Sequence, residues 1–291
     1  MMAAPKRPLL SRVADAVYWM ARYIERAENV ARFIDVNHNL TLDLPRHYSD
    51  QSIYSCIVAA RENARSVRET ISSEMWEQIN SMYLLVTAQN RKGLPEVLPE
   101  FCLQIRMACH LFQGITQDTM SHDEAWHFIQ LGRRLERADK TSRTLDVKYF
   151  ILLPSVIDVG TPYDDVQWTA LLKSVTGFEM YRKKHGRISP DRIVEFLLLD
   201  GDFPRAVRQC LARADDALHV ITGTPRGAFS CQSEQRLGLL RSELDYAHVE
   251  AILSAGLHEF LDALQTKMNT VDECILQDFF AQRAAPATAG A

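Results

Sequence analysis

The sequence predicts an all-α protein, a single multi-helix bundle, and three observations point there. The chain has 291 residues but only 12 Gly and 11 Pro, gathered mostly in a few short clusters, so long stretches run uninterrupted. No segment sustains the apolar–polar alternation of a half-buried strand. Helix start and stop signals recur around runs whose apolar residues are spaced three and four apart. Hydrophobic residues make up 47% and charged residues 24%, the balance of a folded domain rather than a disordered, collagen-like or mucin-like chain.

The elements follow in order. Residues 9–44 read as one long helix between Pro8 and Pro45. A second spans 50–71 with Asp50 as its N-cap, and a third spans 73–91 and ends near Gly93. Pro95 to Pro99 is a connection before a fourth helix at 99–118. Ser121 and Glu124 have the spacing of a capping box, opening a helix over 122–152 that stops before Pro154. Phe150 to Val159 is the one strand-like stretch, but Pro154 interrupts it, and 154–162 reads as a loop. A helix over 163–185 ends at Gly186, and Ser189-Pro190 opens a short one through Leu199. Pro204 opens the next, to about Ile221, and Thr222 to Ser230 is a loop. Residues 232–281 read as one very long helix, or two joined near Gly256. The folded domain is expected over 1–283, and the Ala/Pro/Thr/Gly tail 284–291 is expected to be flexible.

Charge and cysteines exclude several classes. Lys+Arg number 33 against 37 Asp+Glu, a net charge of -4, and the basic clusters Lys6-Arg7, Arg133-Arg134 and Arg182-Lys183-Lys184 are short. The basic stripe of a nucleic-acid binder is missing, so no nucleic-acid partner is expected. Cys56, Cys102, Cys109, Cys210, Cys231 and Cys274 form no C-x-x-C pair, which suits reduced, mostly buried thiols in a cytoplasmic protein. The basic start at Lys6-Arg7 is not followed by an apolar h-region, so no signal peptide is expected. No stretch reaches the roughly 18 apolar residues of a membrane span.

One motif occurs twice. Arg22 to Val36 and Arg133 to Val147 align at a constant offset of 111 residues, with seven of 15 positions identical. The identities are Arg22/Arg133, Glu25/Glu136, Arg26/Arg137, Ala27/Ala138, Arg32/Arg143, Asp35/Asp146 and Val36/Val147. At about 100° per residue, Arg22, Glu25, Asn29 and Arg32 form one stripe, flanked by Glu28 and Asp35. Tyr23, Ala27, Val30 and Ile34 fall opposite and read as the core face. The second copy keeps the stripe as Arg133, Glu136, Lys140 and Arg143. A solvated face laced with ion pairs needs only charge, whereas the retained arginines offer a planar fork that lysine lacks. Glu25, Arg32, Glu136 and Arg143 are therefore expected around a shared polar centre. Three readings stay open for it: a buried structural network, a ligand or partner site, or a solvated face.

Other constellations are weaker. Arg61, Arg65 and Arg68 lie near one helical face, suited to a phosphate or carboxylate or simply to water. Glu124-x-x-His127 and Asp245-x-x-His248 have the spacing of carboxylate–His metal pairs, but the capping box already claims Glu124. No H-E-x-x-H, glycine-rich phosphate loop or nucleophile elbow is present, so no metal, cofactor or catalytic residue is assigned. Trp19, Trp76, Trp126 and Trp168 read as core anchors.

The two Glu-Arg-Ala copies, Arg61 to Arg68, Glu195 to Asp200, and Phe203-Pro-Arg-Ala-Val-Arg208 together resemble the alpha-E family. This is a bacterial α-helical domain named for its Glu-Arg motif, which falls here on Glu25-Arg26 and Glu136-Arg137. The resemblance covers about residues 9–280. It implies a role beside circularly permuted ATP-grasp ligases and transglutaminase-like proteins, in forming or processing peptide or amide bonds. It thereby implies an ATP-grasp ligase, a transglutaminase-like protein or a peptide as partner. An accessory or interaction module is the leading expectation. The rivals are an enzyme, with Glu25 or Glu136 as general base and Arg22, Arg32, Arg133 or Arg143 holding an anionic substrate, and a metal-binding bundle. Long amphipathic helices also make a homodimer an open option.

Overall fold

The computed structural model describes residues 9–38, 52–92, 98–151 and 162–281, which form twelve α-helices and no strand. The helix expected over 9–44 is α1 (Ser11–His38). Residues 39–44 and the tail 284–291 lie outside the described residues, as does the loop expected at 154–162 except for Pro162, which begins a helix. α1 packs on α2 (Ile53–Ser66), α2 on α3 (Ser73–Lys92), α3 on α4 (Leu98–Thr119), and α4 back on α1, closing a four-helix ring. A second ring closes in the same way from α5 (Glu124–Ile151), α9 (Val207–Thr222), α10 (Gln232–Asp245) and α12 (Leu257–Ile275). The two duplicated helices, α1 and α5, each lead a ring, and the rings join where these helices pack together. Between α5 and α9 the chain runs through α6 (Pro162–Ser174), α7 (Phe178–His185) and α8 (Pro190–Leu198), and α11 (Val249–Ala255) sits beside α8 and α12.

α1 and α5 run in the same direction. Leu9 N donates to Glu124 Oε2 at 3.1 Å near their starts, and further along Arg22 and Arg26 reach Glu136. Gly132 sets how closely they approach, since a Cβ there would sit 2.5 Å from the Tyr18 carbonyl oxygen. Such contact leaves no room for solvent between the backbones, so whatever side chains face the seam must be satisfied within the protein.

Several expected boundaries shift. The N-cap of α2 is Ser52, whose hydroxyl accepts from Ser55 N at 3.1 Å, not Asp50. The capping box at Ser121 does not form. Asp123 accepts from Ala125 N and Trp126 N, and Glu124 turns away to Leu9. A carboxylate one residue before the helix reaches the free N–H groups from the N-cap position, which frees Glu124. The helix expected over 163–185 breaks into α6 and α7 at Thr176-Gly177, where Thr176 takes a positive φ of 54°. Pro204 lies in a turn, and α9 begins at Val207. The last stretch is three helices, interrupted at 246–248 as well as at Gly256, and ends in a π-helical turn, Leu276–Phe280. Of the four tryptophans only Trp168 is buried. Trp19 and Trp76 instead lie half-buried under arginines, Trp19 beneath Arg22 at 5.0 Å and Trp76 beneath Arg68 at 4.7 Å.

Candidate functional site

The charged stripes meet at the seam between α1 and α5, and they are buried. Glu25 and Glu136 are both 0% exposed. This removes the solvated-face reading: helix α1 buries its charged side as fully as its apolar one, and Tyr23, Val30 and Ile34 on the expected core face are only half-buried.

Each motif clasps the other. Arg137 grips Glu25 with two parallel bonds, Nε to Oε1 at 2.8 Å and Nη2 to Oε2 at 2.7 Å. Arg26 grips Glu136 in the same manner, Nε to Oε1 at 2.6 Å and Nη2 to Oε2 at 2.9 Å. The Glu of each copy thus takes the Arg that follows the Glu of the other, so the pairs are related by a pseudo-two-fold along the seam. The symmetry extends outward. Arg22 Nε lies 2.9 Å from Glu136 Oε2, and its repeat mate Arg133 points Nε at Glu25 Oε2 from 3.6 Å. Arg32 pairs with Glu28 four residues back, and Arg143 pairs with Asp139 in the same register.

The bidentate fork explains why arginine stands at these positions. A planar guanidinium matches a carboxylate edge to edge, and its weaker hydration lowers the cost of burial relative to an ammonium. Burial pushes the Glu136 carboxyl up, but the bonds from Arg26 and the charges of Arg22 and Arg26 hold it at about 2. For Glu25 burial is again outweighed, by Arg137 and Arg205, and its carboxyl sits below the usual range. Glu28 is held well below it, burial being opposed by Arg205, His110 and Arg32.

The environment breaks the symmetry. Tyr18 donates to Asp272 of α12 at 2.8 Å and accepts from Arg22, which also contacts Asp272 at 2.6 Å. On the Glu25 side Arg205, from the turn before α9, reaches Glu25 at 3.2 Å, Asn29 at 3.1 Å and Glu28 at 2.6 Å. His110 of α4 lies 2.8 Å from Glu28, and Arg32 also donates to Thr176. The strained backbone at Thr176 is therefore tied to the centre through Arg32.

Of the four residues expected at the centre, Glu25 and Glu136 come together there with Arg32 at the edge, and the candidates Arg22, Arg26, Arg133 and Arg137 join them. Arg143 does not join it. Its side chain is 46% exposed and it bonds only to Asp139 of its own helix. Position 143 is a further two helical turns along α5, beyond the reach of the clasp. Arg61 and Arg65 on α2 and Arg68 in the turn after it form a separate surface facing α3. Arg61 lies over Tyr83 at 4.3 Å and donates to Asn80, Arg65 pairs with Glu62, and Arg68 covers Trp76. Sequence reasoning missed Arg205, Asp272 and Tyr18, and placed Glu28 only on the flank. Arg205 had a signal, since it lies inside the Phe203 to Arg208 segment that carried the resemblance. The carboxylate–His pairs do not converge: Glu124 binds Leu9, and Asp245 binds Arg208 and Arg241. Among the described residues no group of three or more His, Cys, Asp or Glu is arranged to hold a metal ion. The six cysteines are free thiols, five of them buried, and burial pushes Cys56 up to about 11 and Cys102 up to about 12. Among the described residues no helix is long and apolar enough to cross a membrane.

The chain matches the model of the Alpha-E family, described as a predicted alpha-helical domain with a conserved ER motif, over residues 9–51 and 46–280. An uncharacterized protein of Mycobacterium bovis is 21% identical over an alignment covering 91% of this chain and 36% of that relative. An uncharacterized protein of Mycobacterium tuberculosis strain H37Rv is 20% identical with the same coverage. The chain therefore spans about a third of the length of these curated relatives. No solved structure matches it.

Proposed function

The chain belongs to the Alpha-E family, and on that premise we propose that it is a cytoplasmic helical interaction module. It serves an ATP-grasp amide or peptide ligase and its transglutaminase-like companion, and does not itself carry the chemistry. The observation that carries this reading is an apolar ridge on α4. Leu103, Met107 and Leu111 recur every fourth residue and are 47%, 57% and 55% exposed. Their helix already buries its opposite face, Cys102, Ile105, Cys109, Phe112 and Thr116, against the rest of the domain. An exposed row of large apolar side chains along one helix is a surface suited to a partner.

The state of the motif glutamates supports an accessory role over the enzyme alternative. A general base works best with a pKa near the operating pH and within reach of substrate. Glu136 at about 2 has little proton affinity, and both of its oxygens are occupied by arginine. The relatives add support, since most of their length lies beyond the stretch that matches this chain.

The test is mild cross-linking of the tagged protein in its native cell, then purification and mass spectrometry. It is run on the parent and on a Met107→Glu/Leu111→Glu variant whose fold is checked by circular dichroism. An ATP-grasp or transglutaminase-like protein should accompany the parent and be lost from the variant. A parent that purifies alone, or a variant that keeps the same partners, refutes the reading.

A further inference from the structure

The two poles of the clasp differ in charge balance. Around Glu136 and Asp272 the cations Arg22, Arg26 and Lys140 are each within ion-pair distance of a carboxylate. Around Glu25 and Glu28 stand four guanidiniums, those of Arg32, Arg133, Arg137 and Arg205, against two carboxylates, and the charge of Arg134 adds to them. Arg137 and Arg205 bond the two oxygens of Glu25, and Arg205 and Arg32 share Oε1 of Glu28. Arg133 and Arg134 are left over. The Nε–H of each is sealed from solvent without a hydrogen-bond partner, and the nearest carboxylate oxygen to Arg133 Nε is 3.6 Å away. A buried donor without an acceptor costs free energy. Burial and the adjacent charge of Arg137 pull the Arg133 guanidinium down to about 9. The Arg133 side chain is 18% exposed away from its sealed Nε, and solutes can approach it there.

We propose that this pole is a binding site for a compact oxyanion, a phosphate or carboxylate group, which accepts hydrogen bonds from Arg133 and Arg134. Arg137 and Arg205 stand behind them and add to the field. The planar fork suits both anions, and a part-buried site strengthens charge-assisted bonds by excluding water. The proposal does not depend on a partner docking on α4, because an anion can bind the isolated chain.

Thermal unfolding and isothermal titration of the full chain at neutral pH test it, with inorganic phosphate, citrate and glutamate compared against chloride at equal ionic strength. Phosphate or the carboxylates should raise the melting temperature of the parent and bind with a measurable Kd. Arg133→Gln and Arg134→Gln should each weaken binding at least about tenfold. Both variants should melt higher than the parent in chloride, because an unsatisfied buried donor is gone. Arg133→Lys, which keeps the charge without the fork, should fall between parent and Gln variant. A response to phosphate alone assigns a phosphoryl ligand, and a response to citrate or glutamate alone assigns a carboxylate. If no anion stabilises the parent beyond chloride, or if Arg133→Gln binds undiminished, the site does not exist. A gain in stability of the variants without any anion response in the parent marks the two arginines as unsatisfied donors only, and overturns the proposal equally.

Discussion

Replacing Glu136 by Gln removes one charge from the centre of the clasp and leaves the shape almost unchanged. The loss can be worked in two ways. The carboxyl drops from 4.5 to about 2 on folding, which at about 1.36 kcal/mol per unit corresponds to roughly 3–4 kcal/mol of stability at neutral pH. Removing one partner from a buried ion pair costs about 3–5 kcal/mol by comparison with other proteins. The two values agree. Unfolding entropy of about 2.1 cal/mol/K per residue over 291 residues converts the loss to a melting temperature lower by about 5–6 °C. The assay is urea unfolding followed by circular dichroism, repeated as the pH is lowered. A depressed carboxylate stabilises the fold fully above its unfolded pKa, and the contribution fades as pH falls through the folded value. The gap between parent and variant should therefore hold from pH 7 to about 5, then close as the pH falls from 4.5 toward 2. Adding Arg26→Met to the variant should cost less than the two single losses together, because the pair acts as a unit. A loss at pH 7 under about 1 kcal/mol, the value of an exposed pair, would refute the claim that the motif is a buried clasp. So would a gap that stays constant down to acid.

Three further outcomes follow from the same geometry. Gly132→Ala should lower the urea midpoint, since overpacking against the Tyr18 backbone at about 1–3 kcal/mol exceeds the helix-propensity gain of up to about 1 kcal/mol. Asp123→Ala should cost about 1 kcal/mol, while Ser121→Ala stays within about 0.5 kcal/mol, and the reverse ranking in thermal melts would restore the capping box. Arg143→Ala should be nearly silent, within about 0.5 kcal/mol, whereas Arg205→Ala should cost about 3 kcal/mol or more because its side chain is 8% exposed and serves two buried glutamates. Chemical denaturation of the two variants side by side measures the contrast.

Much of the molecule was legible in the sequence. Scarce Gly and Pro, helical periodicity and capping residues located nearly every described helix, because these signals are local and act within a turn or two. The 111-residue repeat was also visible, as was the retention of Glu and Arg within it. The break at Thr176 was not, because nothing local forbids helix there and the strained residue is tied to Arg32. The same holds for the pairing inside the clasp. Helical-wheel geometry grouped Glu25 with Arg32 and Glu136 with Arg143, since it knows only the angle around one axis. Arg137 and Arg26 entered the candidate set only as halves of the Glu-Arg motif, with no partner assigned.

The sequence by itself determined that the protein is helical, that it contains two related helices, and that each carries a two-signed charged stripe. The tertiary structure decided what the stripes do. The close, parallel approach of α1 and α5 at Gly132 buries both stripes, and buried charges must find partners wherever the neighbouring helix presents them. That register places Arg137 on Glu25 and Arg26 on Glu136, brings Arg205 in from 180 residues away, and leaves Arg143 in water. Which charges are paired depends on distances between helices, a property of the packed chain rather than of any stretch of it.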